Sequence, residues 1–298
     1  MRLAAIDIGS NAARLLISDV IIGPQGNPEF IKAALVRAPL RLGFEVFDKG
    51  EIPPNKVEKV IKTMKSYKLL LDVYEVKHLK ACATSAMRDA SNGAEIIRKV
   101  KAETGIEIKI ISGQEEASLI YENHIAEAMT KDESYLYIDV GGGSTELTFF
   151  TDSKLVFKES FNIGTIRLLK NQVSEAMWDE MKEFIKQRTK GYHHVTAIGS
   201  GGNINKIFSL SKRKEGKPLG LDLLRDYFKE FSNLSVNQRM TLYHLREDRA
   251  DVIVPALLIY INVMRWADTE EIYIPKIGLA DGLIHTLYEE VKLKEIEI

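Results

Sequence analysis

This sequence predicts an α/β fold in two domains, on three observations. Strand-like and helical runs alternate along the chain. Its 298 residues exceed what a single core conveniently fills. A short apolar strand tipped by Asp, followed at once by Gly and small polar residues, occurs twice, as Leu3 to Asn11 and as Leu136 to Glu146. That repetition points to a functional turn over an ordinary hairpin, and the second half of the chain repeats the plan of the first. The expected domains are 1–130 and 131–298, with the last helix, about 283–298, able to pack back on the first.

Each element has a local reason. After the first Asp-tipped strand the chain turns through Gly9-Ser10-Asn11 into a second apolar stretch, Arg14 to Ser18. Pro53-Pro54 opens a helix in which Val57, Val60, Ile61, Met64 and Leu71 fall largely on one face and lysines on the others. A strand follows at His78 to Ala83, then a helix that Ser91-Asn92 would cap and Gly105 would end. Glu107 to Ile111 reads as a strand feeding through Ser112-Gly113 into a helix with Glu115, Glu116, Leu119, Ile120 and Tyr121. A polar break at Thr130 to Ser134 closes the first half.

The second half repeats the plan, with strands at Tyr135 to Val140, Leu147 to Phe150 and Leu155 to Phe161, and a helix from Ser174 to Lys190. Strand Val195 to Ile198 then runs into Gly199-Ser200-Gly201-Gly202 and a helix from Asn203, a junction suited to phosphate at a helix N-terminus. Ser211 to Gly220, with Lys212, Arg213, Lys214 and Lys217, reads as an exposed basic loop.

Composition narrows the function. A net charge of -1 argues against a general nucleic-acid binder, so any polyanion must meet a local cluster of positive charge. The single cysteine, Cys82, sits in an apolar run and reads as a buried small hydrophobe. The chain starts directly on strand-like sequence, and its longest apolar stretch, Val252 to Met264, is interrupted by Pro255 and Asn262, so a cytoplasmic protein without a membrane span is expected.

The repeated turn carries the chemistry. Gly and Ser let backbone N–H groups converge on an anion without Cβ interference, while an Asp at the strand end suits a hydrated divalent cation. Two such turns facing one another would enclose one polyphosphate group.

Five stretches in order resemble the Ppx/GppA family of exopolyphosphatases and guanosine pentaphosphate phosphatases: Ala5 to Asn11, Ala83 to Ala90, Ile111-Ser112-Gly113-Gln114-Glu115-Glu116-Ala117, Ile138 to Glu146, and Ala197 to Gly202. The resemblance implies two ribonuclease H-like domains of the actin-like ATPase superfamily, each a mixed sheet flanked by helices, with a cleft between them. It implies that Glu116 is the general base, that Asp139 and Glu146 hold Mg2+ or Mn2+, and that Asp7 is the symmetrical metal candidate. Gly9, Ser10, Asn11, Gly141, Gly142, Gly143, Ser144 and Thr145 would then bind the terminal phosphoryl group, joined by Ser200, Gly201 and Gly202. Arg88 would pair with substrate oxygens, and Arg14 would steer the chain or a nucleotide, with Arg37 and Arg41 equally available by sequence.

The implied activity is release of orthophosphate from inorganic polyphosphate, or from guanosine pentaphosphate to give the tetraphosphate. These residues read only the shared phosphoanhydride end, so both substrates stay open. An ATP-dependent kinase and a non-catalytic sensor of alarmone or polyphosphate are the other readings. A homodimer through the apolar C-terminal helices is also expected. The chain departs from the family at Ala12, at Asn203, which would still cap its helix, and at Ile277 to Leu283, where a familiar arginine and glutamate are missing.

Overall fold

The computed structural model describes residues 1–122, 134–152, 154–192, 194–275 and 278–296. Most of the expected polar break at Thr130 to Ser134 lies outside them. The chain divides into two compact units, Met1–Asn123 together with Gly278–Ile298, and His124–Ile277.

In the first unit, β1 (Arg2–Ile8), β2 (Ala13–Ile22) and β3 (Pro28–Ala38) form an antiparallel meander. β4 (His78–Ala83) and β5 (Lys109–Ile110) add parallel to β1, for a sheet order β3-β2-β1-β4-β5. β1 is central and covered on both faces, which is why Leu3 to Ile6 read as one continuous apolar run. The helices are α1 (Gly43–Lys49), α2 (Pro54–Val73), α3 (Ser85–Asp89), α4 (Gly93–Thr104) and α5 (Gly113–Glu122). In α2 the buried face is Val60, Thr63, Met64, Tyr67 and Leu71. Tyr67 is buried because its hydroxyl reaches the Ala13 carbonyl at 3.0 Å, and its ring displaces the predicted stripe, leaving Val57 and Ile61 half-buried. Gly105 ends α4 at φ 73 as expected. Asn92 stands at the head of α4 but its amide clasps the backbone of Ile52 instead of the helix. The final helix, Leu279–Ile296, lays Leu279, Leu283, Ile284 and Leu287 against Leu3, Ala5, Leu16 and Cys82 of the same sheet.

β3 and α1 carried no sequence signal. β3 is an edge strand whose apolar residues are interrupted by Glu29, Lys32 and Arg37, so neither alternation nor a continuous run survives. Lys32 pairs with Asp281 at 2.8 Å.

The second unit repeats the plan, with β6 (Ser134–Val140), β7 (Thr145–Thr151) and β8 (Lys154–Phe161) antiparallel and β9 (Val195–Ser200) parallel to β6. β10 (Leu219–Gly220) and β11 (Glu271–Tyr273) complete the order β10-β11-β9-β6-β7-β8. Its helices are α6 (Thr165–Leu169), α7 (Glu175–Thr189), α8 (Gly202–Ser211), α9 (Leu221–Ser232), α10 (Val236–Tyr243), α11 (Glu247–Ala250) and α12 (Ile253–Trp266). Ser174 caps α7 by accepting from the Met177 N–H. α12 is apolar on nearly every side because it runs through the core, burying Ile253, Leu257, Ile259, Tyr260 and Val263. No helix among the described residues is long and apolar enough to cross a membrane.

α8 corrects one expectation. It starts at Gly202, capped by Gly201 at φ 104, so Asn203 lies inside the first turn and is not the cap. That backbone conformation suits glycine alone, and it places the helix start one residue early.

Candidate phosphoryl-binding site

The two Asp-tipped hairpins are geometric copies. In one, Gly9 N–H bonds the Ala12 carbonyl at 3.0 Å and Asp7 stands opposite Arg14. In the other, Gly141 N–H bonds the Ser144 carbonyl at 2.9 Å and Asp139 stands opposite Glu146.

The second turn is anchored by its carbonyls. Thr165 N–H bonds the Gly141 carbonyl at 3.0 Å, Ile166 N–H the Gly142 carbonyl at 2.8 Å, and Arg167 Nε the Gly143 carbonyl at 2.8 Å. In a trans peptide the N–H points opposite to the preceding carbonyl. The amides of Gly142, Gly143 and Ser144 are therefore turned together away from α6, which makes an anion nest. Gly164 permits this docking, since a Cβ there would lie 2.4 Å from the Gly142 oxygen. Thr145 is spent locally, its hydroxyl donating to the Ile163 carbonyl at 2.6 Å.

Behind the nest stands a pair of carboxylates. Asp139 and Glu146 bring carboxylate oxygens within 4.8 Å of one another. Ser144 and Ser160 hydroxyls both donate to Glu146 Oε1, at 2.6 and 2.9 Å, and the Ser200 hydroxyl donates to Asp139 Oδ1 at 2.8 Å. Such hydroxyl donors fix the carboxylate rotamers. Two hard, oriented oxygen ligands at this spacing fit a divalent cation that keeps several waters. Gly201 and Gly202 continue the same surface, and the Arg249 guanidinium lies against Gly202, 2.7 Å from a notional Cβ, so a side chain there would push the arginine aside.

The first hairpin has the same frame and the opposite electrostatics. The Gly43 N–H bonds the Ser10 carbonyl at 2.9 Å and the Arg41 N–H bonds the Asn11 carbonyl at 2.8 Å, so the Asn11 and Ala12 amides turn outward in the same manner. Asp7, however, is buried and ion-paired with Arg14 at 2.8 Å. Burial pushes its carboxyl above the ordinary value, against the pull of Arg14. The Ser10 hydroxyl meets that of Ser85, at the start of α3, at 2.8 Å. Arg88, from the same helix, donates to the Ile111 carbonyl at 2.9 Å, immediately before α5.

At the head of α5 the two adjacent glutamates have separate tasks. Glu115 closes a reciprocal cap, accepting from Ser112 N–H at 3.0 Å while its own N–H reaches the Ser112 hydroxyl at 3.1 Å, and it also binds Lys109. Glu116 is held by the helix backbone, its N–H on the Ser112 carbonyl at 2.9 Å, with its side chain buried. Cys82 is buried as expected, and burial pushes its thiol well above the ordinary value.

The first unit thus carries Asp7, Gly9, Ser10, Asn11, Arg14, Arg88 and Glu116, and the second gathers Asp139, Gly141 to Glu146 and Ser200 to Gly202 around one nest. Gly164, Arg167 and Ser160 were not visible as functional in sequence. Their one local signal is the Gly-Thr pair after a strand, which reads as an ordinary turn.

Fold and site together define a duplicated α/β protein whose second hairpin sets a glycine-rich amide nest beside two carboxylates. The pattern of the Ppx/GppA phosphatase family matches residues 34–291. The bifunctional 3-dehydroquinate synthase/phosphatase of Fusobacterium nucleatum is 27% identical over 98% of this chain and 47% of its own length, so the chain spans about half of that relative. Exopolyphosphatase 1 of Mycobacterium tuberculosis is 26% identical, over 95% of this chain and 87% of that protein. Among solved structures, the Aquifex aeolicus Ppx/GppA family member aligns with TM-score 0.75 at 25% identity, covering 98% of each chain. An exopolyphosphatase from Cytophaga hutchinsonii reaches 0.84 at 24% identity, over 97% of this chain and 98% of that one, which supports the fold. This chain belongs to the Ppx/GppA phosphatase family.

Proposed function

We propose that the chain hydrolyses the terminal phosphoanhydride of inorganic polyphosphate and releases orthophosphate. The observation that carries this reading is the second hairpin, whose three outward amides lie next to two serine-oriented carboxylates. In this reading the amides of Gly142, Gly143 and Ser144 hold the oxygens of the transferring group. Asp139 and Glu146 hold Mg2+ or Mn2+, which when bound neutralises charge on the phosphate oxygens. Asp7, the candidate by symmetry, is assigned instead to orienting Arg14, which already occupies it. Glu116 orients the attacking water and accepts its proton, late along a loose phosphoryl transfer. The Asn11 and Ala12 amides and the remaining donors of Arg88 serve the following phosphate oxygens. The relatives named as exopolyphosphatases support the choice of polyphosphate. A cytoplasmic setting goes with it.

The test is phosphate release with Mg2+ from polyphosphate, guanosine pentaphosphate and ATP in parallel. Polyphosphate is expected to be the best substrate, and Glu116→Gln to lower kcat by about 10²–10⁴-fold with KM little changed. Near-normal turnover of that variant removes the base. Preference for guanosine pentaphosphate moves the reading to the alarmone substrate, and ADP formation that needs an added hydroxyl acceptor moves it to a kinase.

A further inference from the structure

Tyr260 lies fully buried in α12, inside the core of the second unit. A phenol is retained in such a place when its hydroxyl has a partner, since leucine would fill the volume without a polar cost. Here the hydroxyl donates to the carbonyl of Ser200, the last residue of β9. Ser200 in turn directs its own hydroxyl to Asp139 Oδ1 at 2.8 Å. The next residue, Gly201, packs into the same corner, because a Cβ on it would stand 3.1 Å from Asp139 Oδ1 and 3.6 Å from the Tyr260 oxygen. A core helix, a strand end and a strand tip thus converge through one peptide.

We propose that Tyr260 is a positioning residue for Asp139. By pinning the Ser200 peptide it aims the Ser200 hydroxyl at Oδ1 and holds the carboxylate in the rotamer that receives a cation. Outer partners of this kind set metal affinity without touching the metal. The inference rests on the cation site proposed above.

The test is Mn2+ binding, titrated by the electron paramagnetic resonance of unbound Mn2+, with thermal melting of each variant as the check on folding. Tyr260→Phe keeps the ring and removes only the donor, and is expected to weaken Mn2+ binding by about 3–10-fold, below the range of about 10–100-fold expected for Ser200→Ala. In the double variant the Tyr260→Phe effect should vanish, because its route runs through the Ser200 hydroxyl. Wild-type affinity in Tyr260→Phe, or the same weakening on top of Ser200→Ala, overturns the proposal. Should Tyr260→Phe fail to fold, Ser200→Ala, which leaves the carbonyl partner of Tyr260 in place, decides: unchanged Mn2+ affinity there refutes the relay. Asp139→Asn separates the two levels, since wild-type binding in that variant removes the cation site itself and the positioning role with it.

Discussion

Replacing Gly164 with alanine tests the anchoring of the phosphoryl nest by space alone. Its backbone, at φ -137 and ψ 163, is an extended conformation open to any residue. The new Cβ would stand 2.4 Å from the Gly142 oxygen and 2.5 Å from the carbonyl carbons of Gly142 and Gly143. Ordinary contact is near ~3.5 Å, so turn and α6 must separate by about 1 Å. All the colliding atoms are backbone, and no flexible side chain can absorb the change. The bonds from Thr165 and Ile166 to the turn, at 3.0 and 2.8 Å, stretch or break as it moves. Overpacking of this kind costs about 1–3 kcal/mol, or roughly 2–10 °C in Tm. Misplacing a reacting group by about 1 Å costs about 10²-fold in rate. The expectation is therefore a loss of about 100-fold in kcat/KM for phosphate release from polyphosphate, with a modest drop in Tm. Gly220→Ala is the control, because a Cβ there meets nothing within 4 Å, and its activity should be unchanged. A Gly164→Ala protein with lowered Tm and full kcat/KM would refute the assignment of the turn to phosphoryl binding.

Two other perturbations follow from the ion pair and the basic loop. Arg14→Met leaves the buried Asp7 without its cation and should cost about 3 kcal/mol, seen as a Tm lower by roughly 6–12 °C. Burial already raises Asp7 above its ordinary 3.8, with Arg14 opposing. The folded chain then keeps a proton that the unfolded chain has released, so stability falls as pH rises above that value. Melts from about pH 4 to about pH 7 should show a steeper fall in the variant, and equal slopes would contradict the buried-carboxylate account. Replacing the exposed Lys212, Arg213, Lys214 and Lys217 by serine should raise KM for long polyphosphate several-fold, weaken its salt dependence, and leave tripolyphosphate turnover unchanged. Equal losses on both substrates would remove the loop as a contact for the distal chain.

The duplicated sheets and the glycine turns were legible because their causes are local. A buried strand reads as an apolar run, and a turn with crowded backbone reads as Gly and Ser. His78–Ala83 matched the observed strand to the residue, and Gly105 ended α4 where expected. β3 was not legible, since an edge strand takes its pairing from β2 and needs no apolar pattern of its own. The contrast between the hairpins was half legible. Asp7 and Asp139 look alike in sequence, and only counting outward from each turn shows that one faces an arginine and the other a glutamate.

From the sequence alone came the family, the α/β class, the two Asp-tipped turns and the residue types able to hold phosphate and cation, because each depends on neighbours along the chain. The tertiary structure decided that Asp7 is buried with its arginine, that Ser160 and Ser200 reach the Glu146 and Asp139 carboxylates, and which way the nest amides point. It also brought Gly164, Arg167, Ser160 and Tyr260 to residues far from them in sequence. Those outcomes depend on hydrogen bonds and close contacts between separate strands and helices, which exist only once the chain has folded.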